Sequence, residues 1–121
     1  MSRLRGLRGA TSVKQDTEQE VVDATVELVR TMMGRNSLEI DDLVTIIFTA
    51  TPDITSQFPA YAARSIGISD IPLLCATEMD VKAAPPRIIR VLMHIYTDKG
   101  YKDLRHVYLR EARGLRTDLP Q

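Results

Sequence analysis

The sequence predicts an α+β fold (α/β-like), in which a mixed β-sheet is covered by helices on one face. The chain has 121 residues, which corresponds to a single domain spanning residues 1–121. A helical pattern with an apolar stripe begins at Thr17, and a β-branched run of strand length follows it. In the second half, strand-like segments succeed one another without a long helix between them. Helices that alternate with strands early, and strands that pair directly later, are typical of a mixed sheet.

The first strand and first helix have clear boundary signals. Gly6 and Gly9 lie inside the first strand, where glycine marks a bulge or a close approach of a ligand or another backbone. Thr17 and Glu20 open the helix as a capping box, and we expect Gly34 to end it. The helix covers the sheet through a stripe of four residues: Val21, Thr25, Leu28 and Met32.

The later elements follow from β-branched runs and from proline and glycine positions. Pro59 opens a short helix that Gly67 closes. We predict strands over residues 4–13, 44–50, 71–78, 87–97 and 105–112, and the short helix over 60–66. These strands are apolar on both faces, yet the helices cover only one. We therefore expect a homo-oligomer whose sheets pack together.

Charge, cysteine content and motifs argue against several classes of protein. Sixteen basic residues balance sixteen acidic ones without a basic block, so neither nucleic acid nor a membrane surface is an expected partner. The single cysteine, Cys75, excludes an internal disulfide and a cysteine-based zinc site. His94 and His106 belong to no metal-spacing motif, and no glycine-rich phosphate loop is present, so we expect neither metal nor cofactor. We find no bilayer-spanning run and no signal peptide, so we expect a cytoplasmic protein.

Two apolar runs each carry one charged side chain, Glu78 in the first and Arg90 in the second. Charged residues are almost never fully buried unless they are paired, and we expect these two to pair on neighbouring strands. One interpretation is an interior salt bridge. The other is a small site in which Arg90 faces an anionic ligand and Glu78 orients it. The pattern alone leaves both interpretations open.

Four blocks of sequence carry a resemblance to a known family. They are Arg5-Gly6-Leu7-Arg8-Gly9-Ala10-Thr11 with Asp16-Thr17, Thr49-Ala50-Thr51-Pro52-Asp53 with Phe58-Pro59-Ala60, Cys75 with Glu78-Met79-Asp80-Val81, and Ile89-Arg90-Val91 running on to Arg105-His106-Val107-Tyr108-Leu109. With these blocks in this order and spacing, the chain resembles the small monofunctional chorismate mutases of the AroH class.

The resemblance implies an isomerase that rearranges chorismate to prephenate, on the route to phenylalanine and tyrosine. It also implies a homotrimer in which packed sheets form a pseudo α/β-barrel and active sites lie between subunits. By position, the family's site residues fall on Arg8, Phe58, Ala60, Arg64, Leu73, Leu74, Cys75, Glu78, Arg90, Tyr108, Leu115 and Arg116.

The resemblance also implies roles for the polar members of this set. Arg90 would place positive charge at the ether oxygen that becomes anionic as its bond breaks. Arg8 and Tyr108 would hold a substrate carboxylate. Glu78 and Cys75 would bond the ring hydroxyl, and Glu78 would also fix the guanidinium of Arg90.

The remaining residues would shape the pocket. Phe58 and Leu74 would form walls against the ring, while Leu115 and Arg116 would close over the ligand. The sequence departs from the family pattern at Tyr61, where the family often has lysine, and at Leu74, where it often has threonine. A rim contact from a lysine ammonium or a threonine hydroxyl is therefore not expected at these positions.

Two other functions fit a fold of this kind. A trimeric enamine/imine deaminase would use a carboxylate-binding arginine and an activated water, but its signature blocks are missing from the sequence. A non-catalytic ligand-binding or regulatory trimer would bind a ligand in the same pocket without converting it.

Overall fold

The structure is a computed structural model, which describes residues 1–115 and 120–121. In this part of the chain the elements are β1 (Arg3–Ser12), α1 (Glu18–Arg35), β2 (Leu43–Ala50), α2 (Pro59–Ser65), β3 (Leu73–Thr77), β4 (Ile88–Thr97) and β5 (Val107–Tyr108). Two short 3₁₀ turns, Ile40–Asp42 and Arg110–Ala112, precede β2 and follow β5. Among the described helices, none has the length and apolar character needed to cross a membrane.

The five strands form one mixed sheet in the order β3-β2-β4-β1-β5. The central strand β4 pairs antiparallel with both β2 and β1. The outer strands run parallel to their neighbours, β3 beside β2 and β5 beside β1. The predicted mixed sheet is therefore confirmed.

Both helices pack on one face of the sheet, as predicted, and the core lies between the two layers. All four stripe residues of α1 are fully buried. Leu28 and Met32 pack in one core cluster with strand side chains such as Phe48 and Met93, whereas Val21 packs in a second cluster with Ile89. The helix packs tightly against β1 at Gly9, because a Cβ atom built there would overlap Met32 Sδ. The neighbour at Gly9 is thus a helix side chain, and not the ligand or backbone that the glycine was expected to admit.

No described residue forms a covering layer on the other face of the sheet. Strand alternation and register place Arg8, Ile47, Thr49, Arg90 and Leu92 on this face, and all five are only partly buried. We call it the open face. At its margins three large apolar side chains are half exposed or more: Leu4, Leu74 and Tyr96.

Several predicted boundaries are shifted by one or two residues, among them those of β3, which was expected over 71–78. The extent of β5 and the end of α1 differ for reasons that the backbone shows. The fifth strand was expected over 105–112 but is only Val107–Tyr108, because Arg110 takes a φ of 53° and the chain turns into a 3₁₀ helix there. Helix α1 ends with Asn36 as its cap, beyond Gly34. The Asn36 side-chain amide donates to Met32 O at 2.8 Å and to Arg105 O at 2.9 Å, so a side chain satisfies the carbonyl at the helix end.

Candidate active site

The Glu78 and Arg90 side chains form the predicted pair. Arg90 Nε donates to Glu78 Oε1 at 2.8 Å, and the two side chains remain 29% and 15% exposed. The pair is therefore partly accessible in this chain. The prediction that the two residues lie on neighbouring strands is wrong, because β2 lies between β3 and β4. Glu78 comes one residue after the end of β3, and its side chain reaches across β2 to Arg90.

Strand β2 supplies the residue that sequence reasoning missed. Thr49 lies opposite Arg90 in the β2–β4 register, and its hydroxyl donates to Glu78 Oε2 at 3.1 Å. In the sequence Thr49 is one more β-branched residue in a strand. Thr49 lies beside Glu78 and Arg90 because of the strand register, which a local sequence pattern does not reveal.

Arg8 and Tyr108 lie on the same face as Arg90. Ala10 is the register partner of both Arg90 on β4 and Tyr108 on β5, so the backbones of these two residues are about 10 Å apart. Arg8 is diagonal to Arg90, since its own partner is Leu92. Its guanidinium is partly buried and makes no hydrogen bond or ion pair with another described residue.

Tyr108 belongs to a small apolar cluster at the β5 edge of the sheet. It is 4% exposed and packs with Ala10, Ile88 and Ala112, with Leu115 against them. The structure therefore brings two predicted site residues, Tyr108 and Leu115, together. Arg116 lies outside the described residues.

A second group of predicted site residues lies around a cavity of about 540 Å³ at the ends of β2 and β3. Phe58, which is 67% exposed, and Cys75 both line this cavity. Cys75 Sγ accepts a hydrogen bond from the Ala60 backbone N–H at 3.4 Å. Arg64 is exposed on α2, and its guanidinium makes no hydrogen bond or ion pair with another described residue.

The register separates this second group from Arg90. Cys75 is the partner of Phe48 and Leu73 the partner of Ile46, so both side chains point toward the helices. Leu74 lies between them on the open face and is 60% exposed. Neither Glu78 nor Arg90 lines the cavity. One chain therefore presents two separate groups, one around Arg90 and one around Phe58.

Asp16 fixes one wall of the cavity. Its carboxylate accepts hydrogen bonds from the backbone N–H of Ser56 at 3.1 Å and from the N–H and hydroxyl of Thr55, both at 2.9 Å. Hydrogen bonds from Ser56 and Thr55 lower the pKa of Asp16 from 3.8 to about 2. The ionised carboxylate thus ties the loop before α2 to the loop before α1.

The sequence and the fold both match one family. The family model described as chorismate mutase type I matches residues 4–119. Chorismate mutase AroH of Thermus thermophilus is 48% identical over 117 residues, 96% of this chain and 96% of that protein. Chorismate mutase AroH of Bacillus subtilis (strain 168) is 40% identical over 117 residues, 96% of this chain and 92% of that protein.

A solved structure agrees with the sequence matches. The chorismate mutase from Clostridium thermocellum Cth-682 matches with a TM-score of 0.89 and 45% identity, over 90% of this chain and 97% of that one. This chain therefore belongs to the chorismate mutase type I family.

Proposed function

We propose that this protein is a chorismate mutase, which converts chorismate to prephenate. The observation that carries the proposal is the Arg90 guanidinium, held through Nε by Glu78 while its other nitrogens bond to no described residue. The family match over residues 4–119 supports the same activity. No observation favours the imine deaminase or a non-catalytic binding protein.

The reaction is an intramolecular [3,3] rearrangement, in which one carbon–oxygen bond breaks while a carbon–carbon bond forms. The substrate must be held as a compact, chair-like conformer, which is catalysis by positioning. The ether oxygen gains negative charge as its bond breaks. A fixed cation at that oxygen stabilises the transition state more than the substrate, and so lowers the barrier.

Arg90 is the residue suited to the ether oxygen, because its charge is permanent and its direction is set by Glu78. Arg8 and Tyr108 lie on the same face and would bind a substrate carboxylate. Leu115, which packs with Tyr108, would cover the ligand from the edge of the sheet. Arg116, which was also predicted to close over the ligand, lies outside the described residues. Glu78 would also accept a hydrogen bond from the ring hydroxyl of the substrate. Cys75, which belongs to the group around Phe58, would bond the same hydroxyl.

The group around Phe58 would complete the site from a second chain. Phe58, Ala60, Arg64 and Cys75 lie away from Arg90 in the same chain, so an interface is needed to bring the two groups together. The open face supports this arrangement, since it presents partly exposed apolar side chains for packing against other sheets. We therefore propose a homotrimer with its active sites between subunits.

Incubation of the purified protein with chorismate tests this proposal. A chorismate mutase consumes chorismate, seen as loss of its ultraviolet absorbance, and releases prephenate. An imine deaminase would leave chorismate intact and act on imines instead, and a binding protein would convert neither. Sedimentation of the same preparation should give about three times the mass of one chain if the trimer is correct. The cytoplasmic location stays a prediction, which cell fractionation would test.

A further inference from the structure

Thr49 is the residue through which the sheet holds the Glu78–Arg90 pair. Its hydroxyl donates to Glu78 Oε2 at 3.1 Å, while Glu78 Oε1 accepts from Arg90 Nε at 2.8 Å. The next residue of β2, Ala50, accepts a hydrogen bond from the Glu78 backbone N–H at 2.9 Å. Two consecutive residues of β2 therefore hold both the backbone and the side chain of Glu78.

The two side-chain bonds use different oxygens of the carboxylate, and this fixes its plane. The terminal torsion of a glutamate is soft and has broad minima, so a single hydrogen bond leaves the carboxylate able to rotate. A second bond on the other oxygen removes that freedom. Threonine is suited to this task because its β-branched side chain is stiff at χ1. The direction of its hydroxyl is thus set by the strand.

A fixed carboxylate in turn fixes the guanidinium of Arg90. Arg90 uses its Nε–H to donate to Glu78, which leaves the four N–H groups of the two terminal nitrogens. None of these groups bonds to a residue that the structure describes. Since a guanidinium is rigid and planar, holding Nε sets the direction in which the terminal nitrogens can bind.

We propose that Thr49 is a positioning residue for the rearrangement, which acts on Arg90 through Glu78 and does not touch the substrate itself. This inference rests on the proposed function, in which Arg90 faces the breaking carbon–oxygen bond. Preorganised charge is effective because it does not need to reorient during the reaction. Loss of the Thr49 hydroxyl should therefore slow the chemical step more than it weakens substrate binding.

Thr49→Val tests the proposal, because valine keeps the shape of threonine and removes the donor. We expect kcat to fall about tenfold, the effect of losing one hydrogen bond to a charged group, with KM changed less than about twofold. Thr49→Ser restores the donor and should keep kcat within about threefold of the original.

Thr45→Val is the matched control. Thr45 lies on the same strand and the same face, and its hydroxyl is 2.6 Å from His94 Nδ1, so it loses a hydrogen bond without affecting Glu78. We expect kcat of this variant to match that of the original protein. Equal losses in Thr45→Val and Thr49→Val would mean that the strand tolerates neither change, and would overturn the positioning role.

A double-mutant cycle separates action through Glu78 from direct contact with the substrate. In a Glu78→Ala background, Thr49→Val should change kcat less than about twofold, because the residue it acts through is gone. A further tenfold loss there would overturn the proposal. If the original protein converts chorismate and Thr49→Val does so equally fast, the positioning role alone is wrong. If the original protein does not convert chorismate, the proposed function is wrong.

Discussion

At the residue scale, the central feature is a permanent positive charge held at a partly open position. The Arg90 side chain is 29% exposed and Glu78 is 15% exposed, so the pair is neither sealed nor fully solvated. A sealed ion pair adds little net stability, because the cost of desolvating both charges offsets their attraction. A fully solvated pair also adds little, because water and salt screen it. A fixed cation that a ligand can still reach is the arrangement that electrostatic catalysis requires.

Replacing this charge should affect the chemical step more than binding. For Arg90→Gln we expect kcat to fall by at least about a hundred- to a thousandfold, the usual effect of losing one preorganised donor. Lysine should restore little, because it lacks the planar fork that Glu78 orients. Steady-state kinetics with chorismate measure kcat and KM of both variants. Arg30→Gln, at an exposed position of α1, is the control and should leave kcat unchanged. Normal turnover by Arg90→Gln would contradict the electrostatic account.

At the scale of elements, the local sequence pattern correctly predicted those features that depend on neighbouring residues in the chain. The helix that begins after Thr17, the β-branched strand β2 and the glycine that closes α2 were all correct, and Gly67 has the expected positive φ of 93°. The predicted length of β5 was wrong because Arg110 takes a left-handed φ. The Arg110 side chain contacts Ser12 O and the Glu27 carboxylate, both far away in the sequence, so a local pattern does not reveal this turn.

The site, too, could be predicted only where its residues give a local signal in the sequence. Glu78 and Arg90 could be identified from two charges within apolar runs, which is a local signal. The contribution of Thr49 could not, because it depends on the order β3-β2-β4 and on the register that sets Thr49 opposite Arg90. Nor could the sequence show that Cys75 and Arg90 point to opposite faces, since that also follows from register.

The packing of α1 on β1 depends on glycine at position 9, where there is no room for a side chain. In Gly9→Ala the new methyl group would overlap Met32 Sδ, and it would lie 3.0 Å from Leu28 Cδ1. Both neighbours are fully buried, so we expect a loss of about 1–3 kcal/mol in the free energy of unfolding. Urea unfolding measures this value. Gly34→Ala is the matched control, because no atom lies within 4 Å of its new Cβ. Since Gly34 lies in a helix, alanine there should stabilise the protein by up to about 1 kcal/mol.

The loop that forms the cavity wall should loosen in acid. The pKa of Asp16 is lowered from 3.8 to about 2 in the folded protein. A lowered pKa stabilises the folded state above the unfolded value, so the contribution is complete above about pH 4 and is lost as the pH falls toward 2. Asp16→Asn removes the charge at every pH. We therefore expect the original protein to be more stable than Asp16→Asn near neutrality, and the difference to shrink between pH 4 and pH 2. Denaturant unfolding across this range measures it, and a difference independent of pH would contradict this role.

At the scale of the whole molecule, the two groups of site residues lie on different sides of the sheet in one chain. Arg90 and Arg8 lie on the open face, whereas the cavity residues Phe58 and Cys75 lie around the edge that faces the helices. A homotrimer resolves this separation if each interface places the Arg90 group of one chain against the Arg64-bearing helix of the next. The same contact would cover the apolar side chains of the open face, so assembly and completion of the site would be a single event.

Mixed trimers test whether the site is shared. Arg90→Gln and Arg64→Gln chains should each be nearly inactive alone. When the two are co-expressed, some interfaces combine an intact Arg90 from one chain with an intact Arg64 from the other. Random assortment predicts that about a quarter of the sites are complete, so about a quarter of the original kcat should return. Co-expression of Arg90→Gln with Arg8→Gln is the control. Because Arg8 and Arg90 are diagonal neighbours on adjacent strands of one chain, no mixture can place intact copies of both in the same half-site, and activity should stay low. Recovery in the control, or none in the first mixture, would show that the site is not divided between subunits in this way.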